Sequence, residues 1–410
     1  MRKFLLLSGL FTTLFASPVS GQDFLSVGRI MKHIEVLAHD SLMGRATGSI
    51  YEAKAARYIA AEFQKAGLKP MGSNGTWLQE FDFQVSSHGV KGRNGKANNV
   101  IGYLDNGAKY TVVIGGHYDH LGTGEDGNSL DGKPEGKIHN GADDNASGIA
   151  GVIELAHFYA GNKEKEAFNF LFVCFSGEEL GLFGSIYFIE HCPIPVSSLN
   201  CMVNMDMIGR LSPDKPVLTI SGVGTAPEFK PILSGMQSKA LELQLDSAGV
   251  GPSDHTSFYN KQVPALHFFT GTHLDYHKPS DDVEKINGRG TEVTLNIIAS
   301  LIAKLPADRK LEFLKTRNPS MGNTPSFKVT LGIMPSYAGE GEGMKVEAVL
   351  DGKPAKKAGI QDGDLILFIG EHRVTEVQSY MKALSKFSKG DNTIVKVKRG
   401  SETLELPVTF

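Results

Sequence analysis

The stretch Thr-Val-Val-Ile-Gly-Gly-His-Tyr-Asp at residues 111–119 determines the fold class that the sequence predicts. Three β-branched residues end in two glycines, which is typical of a buried strand that opens into a loop. In an open α/β sheet, ligands bind in the crevice beyond the carboxyl ends of the strands. His117 and Asp119 lie at that position, where an imidazole can bind a metal ion and a carboxylate can orient the imidazole. By itself the pair is weak evidence, because an isolated His-x-Asp is more often a surface turn.

Acidic residues recur at the ends of later predicted strands. The apolar strand 168–175 leads to the adjacent glutamates Glu178 and Glu179, and the strand 201–205 runs directly into Asp206. Solvation is a poor explanation for an aspartate at the end of a nonpolar strand. Because ligands bind where the carboxyl ends of the strands open, this repetition favours a functional site.

The adjacent acids also have a structural explanation. Asp143 and Asp144 precede an apolar helix at 149–159, and the two glutamates are predicted at the start of another helix. Both pairs could therefore cap a helix and interact favourably with its dipole. However, the two aspartates also follow a long loop rich in glycine and aspartate, at 121–140. Long irregular loops inside a compact domain are usually functional, so both explanations stay open.

Helical and strand-like segments alternate up to about residue 310, which predicts an α/β domain over residues 22–310. Ser26 is a candidate N-cap of the first helix, and Gly67 ends the second. The loop 41–45 between these helices suggests no chemistry. Helices are predicted at 26–38, 49–66, 149–159 and 291–305, and further strands at 81–85, 98–104, 111–114 and 265–269.

A second, smaller domain is expected after a linker. Residues 311–324 lose the regular pattern and include Asn318, Pro319 and Gly322, which is typical of a linker. From 325 to 410 the chain is rich in predicted strands. The strands are expected at 328–333, 344–350, 364–369, 393–398 and 403–409, with one helix at 377–387.

Composition and charge exclude some classes of function. The 410 residues carry a formal net charge of -3 without a long basic run, which argues against binding to nucleic acid. Residues 1–21 combine Arg2 and Lys3 with a short apolar run and small residues, as secretory signal peptides do. No stretch is long enough to span a bilayer. We therefore expect an exported protein, periplasmic or extracellular. Export permits disulfides, but the sequence leaves open whether Cys192 and Cys201 pair.

Six side chains are candidates for a metal site. Their imidazole and carboxylate donors suit Zn²⁺ and, less selectively, Mn²⁺ or Co²⁺. One ion with three protein ligands would use part of the set, whereas two ions that share a carboxylate would use five and leave one glutamate free. Paired ions can polarise a carbonyl and generate hydroxide from water, and the free glutamate could act as general base. The candidates are His117, Asp144, Glu178, Glu179, Asp206 and His277.

The motifs around these residues resemble those of the M28 family of metallopeptidases, in particular the secreted two-zinc aminopeptidases of the bacterial leucine aminopeptidase type. They occur in the family's order between about residues 25 and 310, and together they are highly specific. The resemblance implies a three-layer αβα sandwich with a mixed, largely parallel central sheet, and peptide substrates with a free N-terminus. The motifs are Gly-Gly-His-Tyr-Asp, Gly-Ala-Asp-Asp-Asn-Ala-Ser-Gly, Gly-Glu-Glu-Leu-Gly, Asn-Met-Asp-Met and Tyr-His-Lys-Pro-Ser-Asp-Asp.

The resemblance also implies a role for each metal ligand. His117 and Asp206 would bind one zinc ion, whereas Glu179 and His277 would bind the other. Asp144 would bridge the two ions, since the family's bridging acid stands three residues before the Ser-Gly pair.

Further residues carry over from the same family. Glu178 would be the general base, and Asp119 would orient the first histidine. The bond from the bridging aspartate to Asn145 corresponds to a cis peptide in family members. Tyr276 matches a position where some relatives place a hydroxyl that stabilises the oxyanion and others do not.

Residues 325–410 resemble a PDZ domain. Leu331-Gly332-Ile333 is similar to the carboxylate-binding loop, and Ala-Gly-Ile-Gln-Asp-Gly-Asp-Leu-Ile at 358–366 matches the most recognisable run of that family. Such domains bind an extended peptide by adding it to a sheet edge. A peptide ligand or protein partner is therefore expected, with an appendage that binds nothing as the alternative.

Three other interpretations start from the same residues. A carboxypeptidase or dipeptidase would add arginines for the substrate carboxylate, and only Arg210 is suitably placed. A single-zinc enzyme of the glutaminyl cyclase type would lack the histidine of the second metal, yet His117 is present. A non-catalytic binding protein would miss ligands, and none of the five is missing. His120 and His139 are more often loop residues than part of a site, whereas His255 is expected to support the site.

Overall fold

The computed structural model describes residues 25–85, 93–126, 128–131, 133–134, 136–162, 164–316, 329–335, 342–349, 352–375 and 377–410. These residues form a larger α/β unit with a nine-stranded sheet and a smaller unit with a six-stranded sheet. The predicted signal peptide lies outside the described residues, as does part of the predicted linker. Within the described ranges, every helix is too short or too polar to cross a membrane.

In the larger unit, the predicted helices and strands begin and end close to the predicted positions. Ser26 caps the first helix as predicted, because its side chain accepts a hydrogen bond from the backbone N–H of Arg29. The helices are α1 (Val27–Leu37), α2 (Ile50–Lys65), α3 (Gly148–Gly161), α4 (Phe183–Glu190), α5 (Phe229–Ser234), α6 (His255–Asn260) and α7 (Gly288–Ala303). The strands are β1 (Lys69–Pro70), β2 (Leu78–Gln84), β3 (Asn94–Leu104), β4 (Thr111–His117), β5 (Asn169–Phe175), β6 (Leu199–Met205), β7 (Val217–Ser221), β8 (Glu242–Leu245) and β9 (Ala265–Phe269).

The nine-stranded sheet is parallel at its centre, and an antiparallel pairing follows on each side of this central part. Its order is β1-β3-β5-β4-β6-β9-β7-β8, with β2 paired to β3. The four central strands β5, β4, β6 and β9 are parallel to one another. β3 pairs antiparallel with β5, and β7 pairs antiparallel with β9 but parallel with β8. The predicted mixed α/β sheet is confirmed, with its parallel pairings concentrated where the site lies.

Helices cover both faces of this sheet because its central strands are apolar on both sides. In β4, Val112 and Ile114 pack into one core, whereas Val113 packs into the core on the opposite face. This alternation follows from the period of two residues in a strand. α1, α2, α3 and α7 form one helical layer, and α4 with α6 forms the other. The expected three-layer αβα arrangement is therefore present.

Two local predictions differ from the structure, and the cysteine pairing that the sequence left open is absent. No strand was expected between 207 and 252, where β7 and β8 extend the sheet. The adjacent glutamates do not begin a helix, because Gly177 and Leu182 adopt positive φ angles and α4 starts only at Phe183. Their dipole explanation is therefore wrong. Cys192 and Cys201 are both unbridged.

The smaller unit has its own apolar core and an antiparallel sheet of order β10-β11-β12-β14-β15, with β13 paired to β12. The predicted strand 328–333 is replaced by one that begins at Ile333, after Gly332 with a φ of 76°. The elements are β10 (Ile333–Pro335), β11 (Met344–Val349), α8 (Pro354–Ala358), β12 (Leu365–Ile369), β13 (His372–Arg373), α9 (Val377–Leu384), β14 (Asn392–Arg399) and β15 (Glu402–Thr409).

Candidate metal centre

The predicted metal ligands meet at the carboxyl ends of the four central strands. His117 is the last residue of β4, and Asp206 directly follows β6. Glu179 lies in the turn after β5, and His277 lies in the loop that follows β9. Since these strands are parallel neighbours, their carboxyl ends open on the same edge of the sheet.

The carboxylate of Asp144 lies between the two histidines. Its Oδ1 is 3.2 Å from Nε2 of His117, and its Oδ2 is 3.2 Å from Nε2 of His277. Each imidazole also faces a second carboxylate, because Oδ1 of Asp206 is 3.3 Å from His117 and Oε2 of Glu179 is 3.2 Å from His277. The five predicted ligands therefore form two donor groups that share one carboxylate.

Both histidines are oriented by hydrogen bonds at Nδ1, the ring nitrogen that does not face the carboxylate of Asp144. Nδ1 of His117 lies 3.1 Å from the carbonyl oxygen of Asp119, and Nδ1 of His277 lies 3.0 Å from the carbonyl oxygen of Asn128. A ring N–H that donates to a carbonyl leaves the lone pair on Nε2, which is the nitrogen that faces the carboxylates. This is the arrangement that metal-binding histidines usually show.

The segment 142–147 places Asp144 where both histidines reach it. It forms a π-helical turn before α3, and the Asp144–Asn145 peptide bond is cis, as the resemblance implied. Oδ2 of Asp281 accepts hydrogen bonds from the backbone N–H groups of Asp143 and Asp144. Burial, reinforced by the charge of Asp143, raises the pKa of Asp281 to about 6.

Asp143, the neighbouring acid, has other partners. Its Oδ1 accepts hydrogen bonds from the backbone N–H of Gly209 and the hydroxyl of Ser147, and its Oδ2 is 3.1 Å from Nε2 of His273. These contacts hold the turn against the loop after β6. The geometry therefore favours Asp144 over Asp143 as the shared carboxylate.

Glu178 and Glu179 are held by different partners. The backbone N–H of Glu178 donates to Oδ1 of Asp119, whose Oδ2 accepts a hydrogen bond of 2.7 Å from the hydroxyl of Thr47. Oε1 of Glu179 is 2.7 Å from Nδ1 of His120. His120, which the sequence analysis favoured as an ordinary loop residue, therefore orients a predicted ligand.

The electrostatics of the site favour positive charge between its carboxylates. Burial lowers the pKa of His117, but the charges of Asp206 and Glu178 outweigh burial and raise this pKa well above its usual value. Burial also lowers the pKa of His277, but the neighbouring carboxylates of Glu179 and Asp144 outweigh burial and raise this pKa well above its usual value. Buried charges are normally paired or coordinate metals. The donor set and its charge therefore fit divalent cations such as Zn²⁺.

Glu178 is the one candidate residue that belongs to neither of the two donor groups. Burial raises its pKa well above the usual value, and the negative charges of Asp206, Glu179 and Asp254 add to this effect although His117 opposes it. A cation bound by the neighbouring ligands would lower the pKa again, because bound ions are the largest local charges. A buried carboxylate beside both donor groups is placed to accept and release a proton.

Arg45 is the residue that sequence reasoning missed most clearly. The loop 41–45 suggested no chemistry, yet the Arg45 side chain is fully buried beneath the site, with 1% of the residue exposed. Its guanidinium donates to the carbonyl oxygens of Tyr118, Leu37, Asn140 and Gly141. Burial lowers its pKa to about 10, so that it remains charged at neutral pH.

The expected support from His255 is not found in that form. Its ring stacks on His267 at a centroid distance of 4.7 Å, and neither of its nitrogens has a hydrogen-bond partner among the described residues. Ser253, two residues earlier, is the supporting residue, because its hydroxyl donates to Oδ2 of Asp206 at 2.8 Å. His139 contacts Ser129 and the backbone of Lys137. The hydroxyl of Ser129 also lies 3.3 Å from the carbonyl oxygen of His277, so His139 is connected to a predicted ligand only through Ser129.

The remaining predicted residue, Tyr276, lies against the metal centre. Its ring stacks on His277 with centroids 4.0 Å apart and planes 28° from parallel. This contact places the side chain beside a predicted ligand, and the role of its hydroxyl stays a prediction of the resemblance.

Known proteins match both parts of this chain. A family model of peptidase family M28 matches residues 99–302, and a model of the PDZ domain matches residues 323–410. Leucine aminopeptidase 2 of Trichophyton rubrum is 26% identical over 253 residues, which are 53% of this chain and 49% of that protein. The chain spans between about a third and a half of the length of the first curated relatives it matches.

Solved structures with the same fold have different activities in their names. A zinc aminopeptidase from Bacillus subtilis has a TM-score of 0.52 at 16% identity and covers 71% of this chain and 99% of its own. A glutaminyl cyclase from Bacteroides thetaiotaomicron has a TM-score of 0.56 at 15% identity and covers 69% of this chain and 99% of its own. At such identities the likeness shows the fold, and the activity has to be argued from the site.

Proposed function

We propose that this chain, which joins a peptidase domain of family M28 to a PDZ domain, is an exported aminopeptidase with two zinc ions. The observation that carries the proposal is the position of Asp144. Its two carboxylate oxygens face His117 and His277 at 3.2 Å each, and each histidine faces a further carboxylate. One ion would require three such donors, whereas this arrangement offers two groups of three that share a member.

The resident ions would be held by these five side chains. His117 and Asp206 would hold one zinc ion. Glu179 and His277 would hold the other, and Asp144 would contact both ions. When bound, such a pair polarises a carbonyl oxygen and makes a water acidic enough to attack at neutral pH.

The protein's own residues would move the proton and keep the geometry. Glu178 would accept the proton of the attacking water and deliver it to the nitrogen of the leaving amine. Asp119 would position Glu178 by accepting a hydrogen bond from the backbone N–H of Glu178. Asp119 would also support His117, whose Nδ1 is 3.6 Å from Oδ1 of Asp119. Tyr276 would contribute its hydroxyl to the oxyanion.

The neighbouring charges support an aminopeptidase over a carboxypeptidase. Arg210, the arginine that could bind a substrate carboxylate, instead donates from Nη2 to Oδ2 of Asp275 at 2.9 Å, and a lysine, Lys285, contacts the other oxygen of Asp275. A free ammonium group would be attracted to the acids around the site, since opposite charges favour each other in a buried environment.

Export and peptide binding by the PDZ domain belong to the same proposal. The charged and apolar pattern of residues 1–21 supports export. In the smaller unit, β10 is the edge strand of the described sheet and directly follows Gly332, in the predicted carboxylate-binding loop. An extended peptide could therefore add to β10 as a further strand.

The test is an assay of the purified full chain on chromogenic substrates that differ only at the amino end. We expect hydrolysis of aminoacyl anilides, no hydrolysis of the same compounds with a blocked amine, and loss of both zinc and activity after chelation. Cleavage of the blocked substrates at a comparable rate would instead indicate an endopeptidase, whereas a carboxypeptidase would hydrolyse neither form, because the anilide leaves no free carboxylate.

A further inference from the structure

A second cluster of possible metal ligands lies in the helical layer, away from the metal centre. His33 on α1, Glu62 on α2 and His157 on α3 each offer one ligand atom, and these atoms all lie within 4.8 Å of one another. His33 and Glu62 are buried, and His157 is half-buried. His157 lies nine residues beyond Gly148 (157 − 148 = 9), which is about 14 Å along α3 from the end that carries the metal centre.

The histidine on α1 is already oriented as a ligand would be. Nδ1 of His33 lies 2.7 Å from the hydroxyl oxygen of Tyr58, on α2. This hydrogen bond leaves Nε2 as the ring nitrogen that a metal ion could take, and ligating histidines usually have such a partner on the other nitrogen. The rings of His33 and His157 stack with planes 10° from parallel and centroids 6.4 Å apart.

A simple ion pair explains this cluster only in part. Oε2 of Glu62 is 3.5 Å from Nε2 of His157, which is longer than the roughly 2.7–3.2 Å of an ordinary hydrogen bond. Oε1 of Glu62 accepts a hydrogen bond from the exposed Lys65, whereas Oε2 is the oxygen near the imidazole of His157. The ligand atoms of these three residues therefore lie at distances that suit a metal ion between them better than direct hydrogen bonds between the side chains.

We propose that His33, Glu62 and His157 bind a Zn²⁺ ion that fastens α1 to α2 and α3. Two imidazoles and one carboxylate are a common zinc ligand set, completed by a water. Tetrahedral ligands are about 3.3 Å apart at Zn–N and Zn–O lengths of about 2.0–2.1 Å. Small side-chain rotations would bring the three donors from their present separation to these positions. The ion stabilises the helical layer and takes no part in the reaction.

Zinc content of the full chain tests this site. We would measure zinc per chain by mass spectrometry after dialysis against a weak chelator, for wild type, His157→Gln and Glu62→Gln. The matched control is His191→Gln, because His191 is another histidine at a helix end, with Nδ1 near the carbonyl oxygen of Tyr187. Both cluster variants should hold one zinc equivalent less than wild type, and the control should match wild type.

The difference of one equivalent does not depend on how many ions the metal centre holds. A second readout is the thermal unfolding midpoint of a chain that carries Asp144→Asn and His277→Ala. Added zinc should raise this midpoint, and His157→Gln in the same background should abolish the rise. Equal zinc content in wild type and both cluster variants would overturn the proposal and leave an ion pair of Glu62 with a protonated His157.

Discussion

The contacts of Arg45 predict that this residue holds the metal centre together mechanically. Its guanidinium connects the carbonyl of Tyr118, between two site residues, to the carbonyls of Asn140 and Gly141 just before the turn of Asp144. A fourth contact reaches Leu37 at the end of α1. Replacing Arg45 should therefore affect both folding and metal binding.

The magnitude follows from the number of carbonyl groups left without a donor. A buried polar group that loses its partner costs about 1–3 kcal/mol. Arg45→Ala leaves the carbonyls of Tyr118, Leu37 and Asn140 without their donor, whereas the carbonyl of Gly141 still accepts from a backbone N–H. The substitution therefore costs at least about 3 kcal/mol, a large share of the roughly 5–15 kcal/mol that stabilises a folded protein. Arg45→Lys keeps the charge, but its ammonium group does not reproduce the planar geometry of the guanidinium donors, so the cost should be smaller, about 1–3 kcal/mol.

The assay is unfolding of the chelated protein in guanidinium chloride, followed by fluorescence. The chain has one tryptophan, Trp77, which packs against the core of the larger unit and therefore reports on that unit alone. A matched control is Arg289→Lys, because Arg289 is 76% exposed and pairs only with Glu292 in the described contacts. This exposed pair contributes about 0–1 kcal/mol.

Zinc titration completes this test. Arg45→Lys should bind zinc about 10–100-fold more weakly than wild type, as changes in residues that support ligands usually do. An unfolding midpoint and a zinc affinity equal to those of wild type would refute the mechanical role of Arg45.

Four further predictions concern the proton path, the metal and the pH dependence. Glu178→Gln should keep its zinc but lose about 10²–10⁴-fold in kcat, and a rate near that of wild type would show that another group is the base. Thr47→Val removes the hydroxyl that donates to Asp119, so zinc affinity should fall by about tenfold, and unchanged affinity in a titration would contradict this role. Chelation should abolish hydrolysis and zinc should restore it, whereas a metal-free protein that still hydrolyses aminoacyl anilides would exclude a metal mechanism. Burial raises the pKa of Asp254 to about 7 from its usual 3.8, so in that interval the folded state binds more protons than the unfolded state and stability falls as pH rises. Asp254→Asn should therefore be more stable than wild type at pH 8 by up to about 4 kcal/mol, with the difference vanishing toward pH 4, and a difference that does not change with pH in chelated protein would be inconsistent with this assignment.

The amino-acid sequence by itself determined the fold class and the candidate metal ligands along the chain. Buried strands such as β4 are short apolar runs, and a histidine or an acid at the end of such a run stands out because an apolar core does not explain it. His117 and Asp206 were found in this way, and the motifs supplied His277, which lies on a loop without a local signal. The domains of family M28 and of PDZ type were also recognisable from their motifs.

The tertiary structure alone decided which residues support the ligands. Arg45 reaches carbonyl groups up to 96 positions away along the chain, and Asp281 accepts hydrogen bonds from a turn 138 positions earlier. His33, Glu62 and His157 come together only because three helices pack in one layer. Such contacts leave no periodic or local pattern in the sequence, since a buried polar side chain needs a partner in space and not a neighbour in the chain.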